Sequence, residues 1–328
     1  MLPGDDAPPG PAARPASRVI CGFWRRIAAL LLDSLILGVA GGVSGIFLYD
    51  TFSRLGEKGR LIGFCVALVY FGLMNSALGG GQTFGKRAAG IEVVDSEGQH
   101  ISPLRSGLRY FILGVPFFLN GVTFGSDKVT GFTSLLASFI VLGVGGATTY
   151  LYLFNRRTRQ STHDLLVGTF VTMSADRGEL HLRPIWRPHL AIAGAWCALI
   201  LALGLATPWI ARANPFPELI AIQRRVLSLG KASSVLVFAN ETRIYVNGAT
   251  NRTNSLQVRS VMIDRPTDYE LSSREIAAAT LAADPGITKQ DFVGITVIYG
   301  YDIGIAHAHT SRTFQHSPQK WASLVAAQ

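Results

Sequence analysis

The sequence predicts a membrane all-α helical bundle of about five transmembrane helices, followed by a small C-terminal α+β soluble domain. Three observations carry this. The chain is 48% hydrophobic and only 16% charged, with a mean hydropathy of +0.31, more apolar length than one soluble core requires. Apolar runs able to cross about 30 Å of hydrocarbon at about 1.5 Å per residue recur five times. Beyond residue 211 such runs stop, and short alternating β-rich segments replace them.

Residues 1–17 are rich in Pro, Ala and Gly, carry Asp5 and Asp6, and lack an early basic cluster. This predicts a disordered cytoplasmic tail rather than a signal peptide. The spans are predicted at 27–49, 61–79, 108–124, 132–154 and 189–210. The third contains Gly114, Pro116 and Asn120, which predicts either a kink or a span that crosses only with help from neighbouring helices. The domain boundaries that follow are a tail over 1–17, a four-helix domain over 18–173, a basic linker with the fifth span over 174–210, and an extracytoplasmic domain over 211–328.

With the N-terminus inside, Arg14, Arg18, Arg25, Arg26, Lys86, Arg87, Arg105, Arg156, Arg157, Arg159, Arg177, Arg183 and Arg187 fall on the cytoplasmic side, against Arg54, Lys58, Arg60 and Lys128 outside. This is the positive-inside asymmetry, and it places the protein in the cell (inner) membrane with an outer C-terminal domain. The net charge of +9 is explained by these clusters, so nucleic acid is not an expected partner; the lipid bilayer is. Cys21, Cys65 and Cys197 give no disulfide framework and read as small buried hydrophobes.

In the C-terminal part, an amphipathic helix is predicted over 218–229 and strands over 235–238, 243–246, 256–263, 293–299 and 302–306. A tight turn is predicted at Asn240-Glu241, and a capping box at Ser272 and Glu275 opens a second helix. His307 and His309 alternate on a strand and share a face, half of a metal site at most, so no metal is expected.

Asp33 lies inside the first span, where a carboxylate costs about 2.5–3.5 kcal/mol on insertion scales and needs a partner. Arg26, seven residues earlier on the same helix face, is the natural one, and a partner from another helix is the alternative. The pair reads either as a static brace or as a carboxylate that binds a cation or relays a proton. Gly38, Gly41, Gly42 and Gly45 form small-xxx-small pairs suited to close helix packing. Lys86 and Arg87, after the glycine-rich 79–85, are expected at anionic headgroups, as are Arg156 and Arg157. The His163-Asp164 step allows acid-base chemistry but is also common at turns and helix starts.

Three blocks together resemble the RDD family of membrane proteins. They are Gly22-Phe23-Trp24-Arg25-Arg26 ending at Asp33; Gly81-Gln82-Thr83-Phe84-Gly85-Lys86-Arg87 with Gly90, and Arg109-Tyr110 beyond it; and Arg156-Arg157 through His163-Asp164 to Gly168-Thr169. The resemblance covers about residues 18–173 and implies that Arg26, Asp33 and Asp164 are the family's arginine and two aspartates. It also implies a transport-associated role, with cation/proton antiport in some members. Two expectations follow. One is a small transporter or exchanger for a monovalent cation or proton, acting as a homo-oligomer. The other is a non-catalytic scaffold or accessory subunit whose outer domain binds a partner protein or envelope component. Neither requires enzymatic chemistry or a cofactor, and no nucleophile–base pair or metal set is visible.

Overall fold

A computed structural model describes residues 18–122, 131–176, 178–212, 216–246 and 249–327. The predicted tail over 1–17, and Arg14, Lys128 and Arg177 of the charge count, lie outside them. In chain order the elements are α1 (Phe23–Phe47), α2 (Tyr49–Leu55), α3 (Gly59–Met74), α4 (Phe84–Ala89), β1 (Ile91–Val94), α5 (Pro103–Leu119), and α6 (Gly131–Ser138). A wider-wound π segment, Phe139–Val144, joins α6 to α7 (Gly145–Phe154). Then follow α8 (Thr162–Val167), β2 (Phe170–Met173), α9 (Arg187–Arg212), α10 (Pro217–Leu227), β3 (Ala232–Val246), β4 (Ala249–Met262), α11 (Tyr269–Ala283), β5 (Phe292–Asp302), β6 (His307–His316) and α12 (Pro318–Ala326).

Each of the five predicted spans contains helix, yet among the described residues only Phe23–Phe47, Leu135–Phe154 and Arg187–Thr207 are long and apolar enough to cross a membrane. With 16 residues, α3 reaches about 24 Å, and α5 is one residue longer. On α1 the side chains of Leu31, Leu35, Val39 and Ile46 are exposed. A continuous apolar surface of that kind belongs in lipid rather than water. Cys65, expected to be buried, is exposed on α3.

The chain divides into two compact units. The first takes Met1–Asp33, Val69–Leu113 and Ala147–Gly194. Within it β1 pairs antiparallel with β2, from Ile91↔Met173 to Val94↔Phe170, and Ile20 bridges to Thr172. Cys21, Ala29, Ile91, Val93, Ile101 and Val171 pack as its apolar core. Each strand is delivered in the same way. A six-residue helix (α4 or α8) ends on a left-handed glycine, Gly90 at φ 66° or Gly168 at φ 66°, and the strand begins within two residues. Glycine is the residue that adopts this conformation without a Cβ penalty.

The second unit takes Ser34–Leu68, Gly114–Gly146 and Ala195–Gln328. Its sheet has the order β3-β4-β5-β6, with antiparallel outer pairs and a parallel β4/β5 pair reached through α11. Ile222, Val226, Ile276 and Trp321 from α10, α11 and α12 close one face of the sheet over Val235, Val258, Ile295 and Val297. The Trp321 indole N–H donates to the Val293 carbonyl at 2.9 Å. The Trp196 indole on α9 donates to the carbonyl of Leu142 in the π segment at 2.8 Å, so the irregular winding carries its own hydrogen bond.

Three predicted boundaries in this unit are corrected. Asn240 and Glu241 are not a turn; they sit mid-strand in β3, opposite Ser255 and Asn254. β4 extends through the polar residues 250–255 because ladder hydrogen bonds use the backbone and need no apolar side chains. The helix predicted to start at Ser272 starts earlier, with Asp268 as its cap accepting from Glu270 N–H at 2.7 Å and Leu271 N–H at 3.3 Å. Residues 303–306 form the turn between β5 and β6 rather than a strand. Gly304 (φ 80°) donates to the Asp302 carboxylate at 2.7 Å there.

That turn also corrects the role of the glycines. A Cβ on Gly45 would collide with the Tyr301 hydroxyl, one on Gly41 would lie 2.9 Å from the Ala306 Cβ, and one on Gly38 would lie 3.5 Å from the Ile305 carbonyl oxygen. On α3, Gly63 meets the Ile303 carbonyl in the same way. The glycine face of α1 therefore admits the β5–β6 tip and not a second helix, while Gly42 has nothing within 4 Å. Arg60 on α3 closes the arrangement with an ion pair to Asp302 at 2.6 Å.

Candidate functional site

The site is built inside the first unit from charges that the apolar sequence around them makes expensive. Asp164, on α8, is fully buried. Arg26 reaches its Oδ2 from α1 at 2.6 Å, and Arg109 reaches its Oδ1 from α5 through Nη2 at 2.7 Å and Nε at 2.8 Å. The Thr169 hydroxyl donates to the same Oδ1 at 2.9 Å. Arg26 also donates to the Arg159 carbonyl and lies 4.9 Å over the Tyr152 ring. Burial alone would raise the Asp164 carboxyl, but the guanidiniums of Arg109 and Arg26 outweigh it and hold the group well below the usual carboxylate range.

The predicted Arg26–Asp33 pair does not form. Arg26 is committed to Asp164, 138 residues away. Asp33, 1% exposed, is held by neutral donors: the Tyr70 hydroxyl at 2.7 Å and Gly85 N–H at 2.8 Å to Oδ1, and the Thr83 hydroxyl at 2.5 Å to Oδ2. A Cβ on Gly85 would strike the Ala29 carbonyl oxygen, so only glycine lets α4 come this close to α1.

Lys86 is likewise not at an interface. Its ammonium donates to Asn75 Oδ1 and has no carboxylate within 4 Å among the described residues. Burial, with Arg109 nearby, pushes it well below the ordinary lysine range. His163 lies 2% exposed with Nε2 3.6 Å from Asp164. Burial lowers its pKa from 6.5 to about 3, so it is neutral. Its Nδ1 is buried with no hydrogen-bond partner among the described residues. Arg26, Asp33, Asn75, Lys86, Arg109 and His163 all line one cavity of about 310 Å³, whose other walls are mainly apolar, with the hydroxyl-bearing Tyr110, Thr148, Thr149 and Tyr152 among them.

Of the remaining predicted contacts, Arg87 is exposed and donates to the Gly79 carbonyl at 3.1 Å, and Arg156 and Arg157 are exposed after α7. His307 and His309 do share a face of β6, with ring centroids 6.4 Å apart. No group of three or more His, Cys, Asp or Glu is placed to hold a metal among the described residues. The sequence reading missed Arg109, Asn75 and Tyr70 as site residues. The insertion-cost argument applied to Asp33 would have flagged Arg109, a guanidinium at the start of an apolar run.

Residues 20–168 match the RDD family. This segment is an RDD domain. An uncharacterized Bacillus subtilis (strain 168) protein, YckC, is 28% identical over 151 residues, which is 46% of this chain and 83% of that one. No solved structure matches. The RDD match contains Arg26, Asp33, Lys86, Arg109, His163 and Asp164, so the buried charge cluster belongs wholly to the RDD domain. The four-stranded sheet, with α10, α11 and α12, lies beyond it.

Proposed function

We propose that this protein is a small membrane transporter whose RDD domain exchanges a proton or monovalent cation at Asp33. One observation carries the reading. Asp33 and Lys86, an acidic and a basic group with no ion pair among the described residues, line one cavity. Asp164, in contrast, is neutralised by two guanidiniums and has no capacity left for a cation. The family's arginine and second aspartate are accordingly assigned to a fixed brace, and the first aspartate to the exchange step. Loading Asp33 with a proton would weaken the bonds from Thr83 and Gly85 that hold α4. A bundle this small would act as a homo-oligomer in the cell membrane, with a cytoplasmic N-terminus and no enzymatic step or cofactor.

A second reading, a non-catalytic scaffold whose outer domain binds a partner protein, is favoured by the doubly clamped Asp164 and by the β5–β6 tip seated on the glycines of α1. The test is cation-dependent collapse of an imposed pH gradient in proteoliposomes, comparing the intact chain with Asp33→Asn at matched incorporation. Loss of exchange in a folded Asp33→Asn protein supports the transporter. Equal rates with and without the carboxylate, or no exchange by either protein, would leave the scaffold.

A further inference from the structure

A second cavity in the first unit, of about 750 Å³, is lined by Arg25, Arg26, Arg156 and Arg159 and by no carboxylate. Arg26 is spent on Asp164. The other three guanidiniums form no ion pair with any described carboxylate, and Arg25 has only the Met173 sulfur at 3.5 Å. Three guanidiniums without a paired carboxylate on the lining of one concavity suit an anion, and the planar donor fork of arginine matches phosphate oxygens. Arg159 enters the lining from a φ of 53°, the one positive φ at a non-glycine residue among those described, and Arg26 holds that turn through its carbonyl. Strained backbone held in place by a neighbour is a recurrent feature of ligand sites.

The rest of the lining says which phosphate. Phe23, Trp24, Tyr152 and Leu153 border the arginines, and Trp24 is 79% exposed at the start of a helix long enough to span a membrane. Tryptophan beside arginine at a span's end is the composition of the headgroup level, and basic pockets between membrane helices bind anionic headgroups. We propose that this pocket binds the phosphate of an anionic phospholipid, with Arg25, Arg156 and Arg159 on the phosphate and the aromatic rim against the chain. The assignment is independent of exchange at Asp33, since it is read by binding and not by flux.

The test titrates dioleoyl phosphatidylglycerol or dioleoyl phosphatidylcholine into the full chain in neutral detergent and counts bound lipid by native mass spectrometry. Phosphatidylglycerol should bind at least about ten-fold tighter, and Arg25→Gln with Arg156→Gln should weaken it about thirty-fold. Arg157→Gln removes an equally exposed neighbour outside the lining and should change binding less than about two-fold. If the double variant does not fold, Arg156→Gln alone should still weaken binding about five-fold. Equal affinity for the two lipids, or an Arg157→Gln loss as large as the Arg156→Gln loss, would overturn the site. Displacement of the lipid by glycerol 3-phosphate at equal concentration would make the ligand a soluble phosphate and overturn the lipid assignment.

Discussion

A carboxylate buried between two guanidiniums and a carboxylate buried among neutral donors respond differently to the loss of charge. Asp164→Asn leaves Arg26 and Arg109 buried without a counter-ion and should destabilise the RDD domain by about 3–5 kcal/mol, read as a fall in the melting temperature in detergent. His163 adds a pH dependence. Its folded pKa of about 3 lies below the ordinary 6.5, so between these values the unfolded chain binds a proton that the folded chain refuses. Stability is therefore full above pH 6.5 and falls as pH drops toward 3, by up to about 1.4 kcal/mol per pH unit. His163→Gln should flatten the melting profile between pH 7 and 5. Asp164, depressed below its own ordinary range, adds to the loss only at still lower pH. The cost of Asp33 was legible in the sequence because an apolar run sets it. The partner of Arg26 was not, because spacing along one helix cannot weigh a carboxylate 138 residues away against one seven residues away.

Among the elements, α4 and α8 repeat one device: six residues, a left-handed glycine, and a strand of the β1–β2 pair. Each helix brings a charged residue of the site, Lys86 or Asp164, while the glycine and strand fix where it starts. Gly85→Ala should therefore act at a distance from its own size. The added methyl meets the Ala29 carbonyl and lies 2.9 Å from the Asp33 carboxyl carbon, forcing α4 off α1. The expected cost is about 1–3 kcal/mol of stability. It should come with altered reactivity at Asp33, measured as faster modification by a carbodiimide than in the native chain. A melting temperature and reactivity equal to native would mean α4 is not held where the hydrogen bonds place it. The helices were readable because long apolar runs announce them. The hairpin of the second unit was misread because the polar half of β4 has no alternation to detect.

For the molecule as a whole, the question the span count leaves open is which side of the membrane holds the C-terminal domain. Among the described residues three helices are long enough to cross, five are predicted from the sequence, and α3 and α5 fall a few residues short. The second unit supplies an argument that needs no count. α2 follows α1 directly, and it is tied to the C-terminal domain by Arg54–Asp264 at 3.0 Å, Asp50–Arg265 at 3.3 Å and Tyr299 Oη donating to Asp50 at 2.7 Å. If α1 crosses once, the segment after it and the sheet bonded to it share a side, opposite the N-terminus. Both three and five crossings give that result, and four does not. In a chain with Cys21, Cys65 and Cys197 replaced by alanine, a membrane-impermeant maleimide should label Ser311→Cys on intact cells and Arg157→Cys only after permeabilisation. Both positions are exposed, so failure to label reports sidedness and not burial. Labelling of both on intact cells would mean that α1 does not separate them. The positive-inside count would then have to be explained by lipid contact at Arg25, Arg156 and Arg159 instead of by orientation.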